Sequence, residues 1–259
     1  MRFKDLMDNP NFISGIHNYC DRWCERCNFT ARCAVYAIEE ADPDINPDRC
    51  DIHNAKFWQK LSSIFKETHE MISEWAEKNG LDLSEEALAP IGEEIEKQRR
   101  HTHNHPLAQA AEKYAFAVRE WFAKEFEHLQ PISDMSPKLA DAGEPDSAIS
   151  DYVEVIQWYQ FFIAAKTIRG LMSRIDEDDY SDRKDSRDSD GSAKAALIAI
   201  DRSIGAWKVV SDARPDDADA IRGFLFQLER LRSEAEREFP NARDFTRPGL
   251  DESTLDLVQ

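Results

Sequence analysis

The chain has 259 residues, of which 41% are hydrophobic and 32% charged, so it can bury a core and does not have the composition of a disordered protein. Its formal net charge of −18 would repel a phosphate backbone, which argues against nucleic acid as a partner. No apolar run approaches the roughly 18 residues of a membrane helix, and no apolar segment follows the basic residues of the N-terminus. We therefore expect an acidic, soluble protein of the cytoplasm, of bacterial type, without a membrane anchor.

The five cysteines are the most informative feature, because all of them lie between residues 20 and 50. A secreted disulfide framework is normally spread along the chain, whereas clustered thiols in a reducing compartment are typical of metal ligands. Four of them form one compact run: Cys20, Cys24, Cys27 and Cys33. On a helix, the first three would stack along one face, and Cys33 could return after Asn28 to complete a set of four.

Four converging thiolates suit either a tetrahedral zinc ion or a cubane iron–sulfur cluster. The gaps of three, two and five residues favour a cluster, since zinc sites more often use two separated C-x₂-C pairs. Arg22, Arg26 and Arg32 alternate with the ligands and could donate hydrogen bonds to cluster sulfurs, or they could simply pair with Asp21, Glu25 and other acids. The sequence favours an iron–sulfur cluster and leaves structural zinc and metal-free thiols as alternatives.

The spacing of the first three cysteines resembles the cluster motif of radical S-adenosylmethionine enzymes. In that family, three cysteines leave one iron open for the cofactor. The resemblance covers only Cys20, Cys24 and Cys27, and Arg26 stands where the family usually has an aromatic residue. Cys33 would fill the open position, and the chain lacks the alternating strands and helices of those enzymes.

Two further groups of possible ligands follow along the chain. Cys50 and His53 could form a spare pair at a helix start, although an ordinary cysteine and a surface histidine are the simpler interpretation. His101, His103 and His105 occupy alternate positions and would project to one side of an extended segment. A solvated connection between helices is the simpler interpretation there.

Apolar residues recur with helical spacing through most of the chain after residue 50. Asn79-Gly80 is a helix stop, and Pro106 and Pro145 stand where helices can begin. The period-two alternation of strands is absent from the sequence. The predicted long helices cover residues 52–76, 107–129, 146–174, 192–213 and 216–238.

The remaining segments break this pattern. Residues 81–104 contain Pro90 and Gly92 and predict short helices, while 130–145 reads as a loop. Residues 176–192 mix both charges with serine and predict a flexible linker. The predicted fold is all-α: a bundle of about five long helices over residues 49–245, preceded by a short cysteine-rich helical segment, 1–48, and followed by a tail, 246–259.

Two charges fall inside the most apolar predicted helices. Lys166 lies in line with Ile156 and Tyr159, and Asp201 interrupts a run of aliphatic residues. We expect Lys166 or Arg169 to pair with Asp201 in the bundle interior, either to fix helix register or to line a polar pocket for an anionic ligand.

These observations predict a helical metalloprotein whose cysteine site serves electron transfer, redox sensing or a cluster-assisted reaction, with a redox or regulatory protein as partner. Tyr19, Trp23 and Phe29 would shield the cluster from solvent. The alternative is an interaction or regulatory protein in which zinc only fixes the N-terminal segment. The sequence is compatible with an enzyme and with a protein that has no catalytic activity.

Overall fold

A computed structural model describes residues 9–41, 55–126, 145–179 and 187–251. Within these residues the only regular structure is helical, which confirms the predicted all-α fold. Short 3₁₀ turns precede the first described α-helix. The seven α-helices of the described residues are α1 (Ala34–Ala41), α2 (Ala55–Asn79), α3 (Glu85–His103), α4 (Pro106–Phe126), α5 (Pro145–Asp179), α6 (Asp188–Ala213) and α7 (Ala218–Glu238). None of the described helices is long and apolar enough to cross a bilayer.

The chain forms two compact units. The first takes its described residues from 1–17 and 22–97, and the second from 18–21 and 98–259. The boundary falls inside α3, after Lys97. The short stretch Asn18–Asp21, which contains Cys20, therefore belongs to the second unit, whereas Cys24, Cys27 and Cys33 belong to the first.

The second unit is a four-helix bundle. Each of its helices packs against two others, α4 against α5 and α7, and α6 against α5 and α7, so the four close into a ring. Helix α6 lies deepest, because its small and aliphatic residues are buried along almost its whole length. At one end of the core, the fully buried Trp207 donates a 3.0 Å hydrogen bond from its indole N–H to the hydroxyl of Tyr114.

Several predicted helix ends are confirmed. Helix α2 ends at Asn79, and Gly80 follows with a φ of +66°, a left-handed conformation that glycine adopts without strain. Leu81 then donates its backbone N–H to the Ala76 carbonyl, at 2.9 Å. Helix α4 begins at Pro106, as expected from a residue that needs no N–H partner in the first turn.

Two predicted interruptions are more helical than expected. Residues 85–103 form one continuous helix despite Pro90, the sixth residue of the helix, whose missing N–H removes one internal hydrogen bond. Helix covers both ends of the segment 176–192, since α5 continues to Asp179 and α6 begins at Asp188. Ser189 and Ser192 are buried there, which a periodicity of large apolar residues could not reveal.

The first unit contains the cysteine turns, α1, α2 and most of α3. Within the described residues, no other helix packs along α2. Trp58, Leu61 and Phe65 recur at the spacing of one helix face, a pattern typical of a buried stripe, but the side chains of Trp58 and Phe65 are 54% and 65% exposed. Ala76 is the only buried side chain among those described in α2.

Candidate functional site

The cysteine segment does not fold as the continuous helix that would stack its thiols on one face. It forms two 3₁₀ turns, Cys24–Arg26 and Thr30–Arg32, before α1 begins at Ala34. Arg22 explains the interruption, because its φ of +60° is left-handed and cannot continue a right-handed helix. The predicted helical stacking of Cys20, Cys24 and Cys27 is therefore wrong.

The turns nevertheless give the cysteines defined local surroundings. None of the four forms a disulfide, and all are partly exposed. The backbone N–H of Cys27 donates to the carbonyl of Cys24 at 3.1 Å and so closes the first turn. The backbone N–H of Phe29 then donates to the sulfur of Cys27 at 3.3 Å. A hydrogen bond of this kind stabilises a thiolate and tunes a sulfur that binds metal.

The three interleaved arginines have identified partners. Arg22 pairs with the carboxylate of Glu39 at 3.1 Å, and the guanidinium of Arg26 lies 4.2 Å from the ring centroid of the buried Trp23. Arg32 donates to the carbonyl of Asn11 at 3.5 Å. Of these three contacts, that of Arg22 is an ion pair with an acid, as the simpler interpretation expects, whereas those of Arg26 and Arg32 are with a ring and a carbonyl.

Acidic groups surround the hydroxyl of Tyr36 in α1. The Glu40 carboxylate is the main cause that raises the pKa of Tyr36, followed by burial and by the charges of Cys24 and Glu25. Cys24 thus shares its surroundings with two carboxylates and a phenol. A thiolate at this position gains from a neighbouring cation, which a metal ion would supply.

The stretch Asn18–Asp21 is held to the four-helix bundle by successive contacts that the sequence did not reveal. The Asn18 carbonyl accepts a 2.7 Å hydrogen bond from Lys166, and the Asp21 carbonyl accepts one of 3.0 Å from the indole of Trp158. Between them, the ring of Tyr19 meets that of Phe245 edge to face, with 4.9 Å between centroids. Cys20 therefore lies in a stretch whose neighbours on both sides are fixed.

Asp21 is the centre of the strongest of these contacts. Its carboxylate accepts a 2.7 Å hydrogen bond from Tyr159 and a 2.7 Å bond from Arg202, and Arg202 also donates to the Tyr159 hydroxyl. Burial, reinforced by the negative charge of Asp21, raises the pKa of Tyr159 to about 12. The phenol is therefore neutral at ordinary pH and acts as a hydrogen-bond donor.

Asp188 forms a second polar centre at the start of α6. It accepts hydrogen bonds from the hydroxyls of Tyr19 and Ser173, at 2.9 and 2.7 Å, and from Arg169 at 3.0 Å. Burial by itself would raise the pKa of Asp188, but these hydrogen bonds outweigh it and hold the pKa below its usual value. Tyr19 thus contacts the bundle through its hydroxyl and its ring.

The predicted pair of Lys166 or Arg169 with Asp201 does not form. Lys166 contacts Asn18 and Arg169 contacts Asp188, whereas Asp201 pairs with Arg243 at 2.7 Å and lies 3.6 Å from Arg232. The reason is geometric, because Asp201 faces α7 and the turn that follows it. The carboxylate is 39% exposed, so it needs no partner from the bundle interior.

The histidine stretch is helical instead of extended. His101 and His103 lie in the last turn of α3, where alternate residues point to different sides. His103 contacts Glu112 at 3.2 Å, and the ring of His105 accepts the first backbone N–H of α4 from Leu107 at 3.2 Å. These contacts give His105 a capping role. Cys50 and His53 lie outside the described residues.

Among the residues that the structure describes, no three His, Cys, Asp or Glu side chains are arranged so that they could hold a metal ion. The four cysteines near the N-terminus are close in sequence and uncommitted to disulfides, and they form a possible ligand set without an assembled geometry. No protein-family model, no curated protein and no solved structure matches this chain.

Proposed function

We propose that Cys20, Cys24, Cys27 and Cys33 bind a metal centre, and that this centre is an iron–sulfur cluster used in electron transfer, redox sensing or a cluster-assisted reaction. The run of four disulfide-free cysteines within residues 20–33 carries the proposal. The hydrogen bond from the Phe29 N–H to the Cys27 sulfur supports it, since bonds of this kind stabilise metal-bound thiolates.

In the structure the four thiols do not lie together as a ligand group, so binding requires the cysteine turns to bring them closer. Such coupling is common, since ligands gather and lose their protons as a metal binds. Between Arg22 and Cys33 the segment consists of two short 3₁₀ turns, so closure would not have to break the hydrogen-bond ladder of an α-helix.

The uneven spacing of the cysteines is the reason for preferring an iron–sulfur cluster. The arginines add no further support, because each of the three has a contact of its own within the segment. One observation favours the alternative, a zinc ion that only fixes the segment. The Ile13 N–H donates to the Arg32 carbonyl at 3.0 Å and joins the start of the segment to its end, as in a small structural module. In that case the protein would act through interaction with a regulatory partner.

The test is the metal content and absorption spectrum of protein purified without air. A cluster predicts about four irons per chain and a brown colour that bleaches in air, whereas structural zinc predicts about one zinc and no colour. Cys24→Ala and Cys27→Ala should each remove the metal. Cys50→Ala is the matched control, since it removes a thiol outside the run and should keep the metal.

Metal retained in full by Cys24→Ala and Cys27→Ala would contradict the ligand assignment. Wild-type protein without iron or zinc would contradict the metal site itself and leave a set of free thiols. Zinc lost from both variants would support the site and reject the cluster.

A further inference from the structure

Helix α2 exposes a continuous apolar stripe. Its members recur at alternating spacings of three and four residues, which keeps them on one face of a helix. The exposed fractions of the four largest are 54% for Trp58, 65% for Phe65, 50% for Ile72 and 59% for Trp75. Ile64 and Met71 widen the stripe on one side, at 41% and 59%.

Within the described residues of the first unit, no other helix packs along this stripe, and its side chains keep the exposures given above. Helix α3 follows α2 directly, but its own apolar residues Leu88, Ile91 and Ile95 are also exposed. Each partly exposed aromatic side chain offers roughly 100 Å² or more, and the stripe as a whole offers on the order of 600 Å². This approaches the roughly 800 Å² that each partner buries in a stable interface.

The order of residues along the stripe is nearly the same in both directions. If two copies of α2 pack antiparallel around a two-fold axis between residues 66 and 67, Trp58 of one copy lies level with Trp75 of the other. Leu61 is then level with Ile72, and Phe65 with Thr68. The alternating three-and-four spacing produces this reversal symmetry, and layers of this kind are those of an antiparallel coiled coil.

Thr68 is the polar member of the stripe, and its hydroxyl has a partner within its own helix. It donates a 2.8 Å hydrogen bond to the carbonyl of Ile64. The methyl group of Thr68 can therefore pack against Phe65 of a second copy without leaving an unpaired donor.

The charge pattern selects the same arrangement. Residues 55–66 contain three lysines and no acidic residue, whereas residues 67–79 contain four glutamates and one lysine. Antiparallel packing places the basic half of one helix beside the acidic half of the other and also opposes the two helix dipoles. The helix is formally neutral within a chain of net charge −18, so two copies can approach through it. A membrane-binding helix would instead carry an excess of lysine and arginine.

We propose that α2 is a self-association surface, through which two copies of the chain form an antiparallel, two-fold symmetric dimer. In such a dimer each surface residue appears twice, so one substitution in the chain changes two positions of the interface. This inference is independent of the metal site.

The first test measures the mass of the full-length chain by light scattering and by sedimentation over a range of concentrations. We expect a dimer for the wild type. Phe65→Glu and Ile72→Glu should each weaken dimerisation by at least about 100-fold, since the buried charge enters the interface twice. Gln59→Glu is the matched control, because it adds the same charge to the same helix outside the stripe and should leave the dimer intact.

A wild type that stays monomeric at every concentration overturns the proposal. A dimer that both stripe variants retain, with helical content unchanged by circular dichroism, also overturns it. If a variant loses its helical content, its effect on dimerisation is not counted, and the cross-linking experiment, which needs neither glutamate substitution, decides whether the dimer forms.

The second test places the photoreactive amino acid benzoylphenylalanine at Trp58 and mixes isotopically light and heavy chains. The expected cross-link joins position 58 of one chain to the peptide around Trp75 of the other. A cross-link from 58 to 58 would reject the antiparallel arrangement. Cross-links confined to one chain would show that the stripe is covered intramolecularly and would overturn the proposal.

Discussion

The hydroxyl of Tyr159 donates a 2.7 Å hydrogen bond to the carboxylate of Asp21, a residue 138 positions earlier in the chain. Tyr159 is 1% exposed, so its hydroxyl depends on partners inside the second unit. Arg202 contacts both residues, and the three side chains join the stretch Asn18–Asp21 to α5 and α6.

Replacing Tyr159 by phenylalanine should lower the free energy of unfolding by about 1–2 kcal/mol, because a hydrogen bond to a charged acceptor is lost while Arg202 still holds Asp21. Urea denaturation followed by circular dichroism measures the change. Tyr152→Phe is the matched control, since Tyr152 is 38% exposed, and it should change the free energy by less than about 0.5 kcal/mol. Equal losses in the two variants would contradict the role of the Tyr159–Asp21 bond.

Asp188 should make the protein sensitive to acid. Its hydrogen bonds to Ser173, Arg169 and Tyr19 hold its pKa below the usual value in the folded state. The stability that this carboxylate contributes is therefore present above the pKa of the unfolded chain, about 4, and is lost as the pH falls through the lower, folded value. We expect the free energy of unfolding to fall below about pH 4, and to fall less steeply in Asp188→Asn.

The control for this pH series is Asp219→Asn, because the side chain of Asp219 is 91% exposed. Its acid dependence should match that of the wild type. If Asp188→Asn shows the wild-type slope as well, the hydrogen bonds to Asp188 do not contribute to acid stability.

Gly191 is required by a close approach between α6 and two aromatic rings. A Cβ at this position would lie 2.4 Å from a ring carbon of Tyr19 and 2.8 Å from one of Phe245. Gly191→Ala should therefore cost about 1–3 kcal/mol, since both rings would have to move. A Cβ added at Gly205, in the same helix, would meet no heavy atom within 4 Å. Gly205→Ala should therefore stabilise the protein by about 0.5–1 kcal/mol through helix propensity. Thermal denaturation distinguishes the two signs.

The hydroxyl oxygen of Tyr114 accepts a hydrogen bond from the indole N–H of Trp207 in the bundle core, where both side chains are fully buried. Tyr114→Phe leaves that N–H without its acceptor and should cost about 1–3 kcal/mol. The double variant Tyr114→Phe/Trp207→Phe removes donor and acceptor together, so its loss should be smaller than the sum of the single losses. Strictly additive losses in chemical denaturation would argue against this interaction.

The sequence predicted the helices well because their apolar residues recur at the spacing of one face of an α-helix. The stops and starts at Gly80 and Pro106 depend on local backbone chemistry, which is visible in the sequence. Periodicity could not tell which helix faces meet, however. The stripe of Trp58 and Phe65 looks like a core face, and it is exposed in the described chain.

The candidate site was less predictable, because its organisation depends on contacts between distant residues. The spacing of Cys20, Cys24 and Cys27 suits a helix, but the left-handed Arg22 breaks it, and no common turn residue marks that position. The partners of Lys166 and Asp201 depend on which sides of α5 and α6 face each other, and the sequence carries no direct signal for this. The aromatic and charged composition of Tyr19 and Asp21 was the one available hint that this stretch packs elsewhere.

The anchoring of Asn18–Asp21 makes the second unit discontinuous in sequence. A fragment beginning at Gln98 would contain all four bundle helices and still lack part of its own packing, because Phe245 would lose Tyr19, and Arg202 would lose Asp21. The missing stretch should then behave as a ligand, and a synthetic peptide that includes it should bind the fragment and restore stability. The bundle is thus suited to fragment complementation, in which the affinity of the peptide reports how strongly the bundle holds the residues on either side of Cys20.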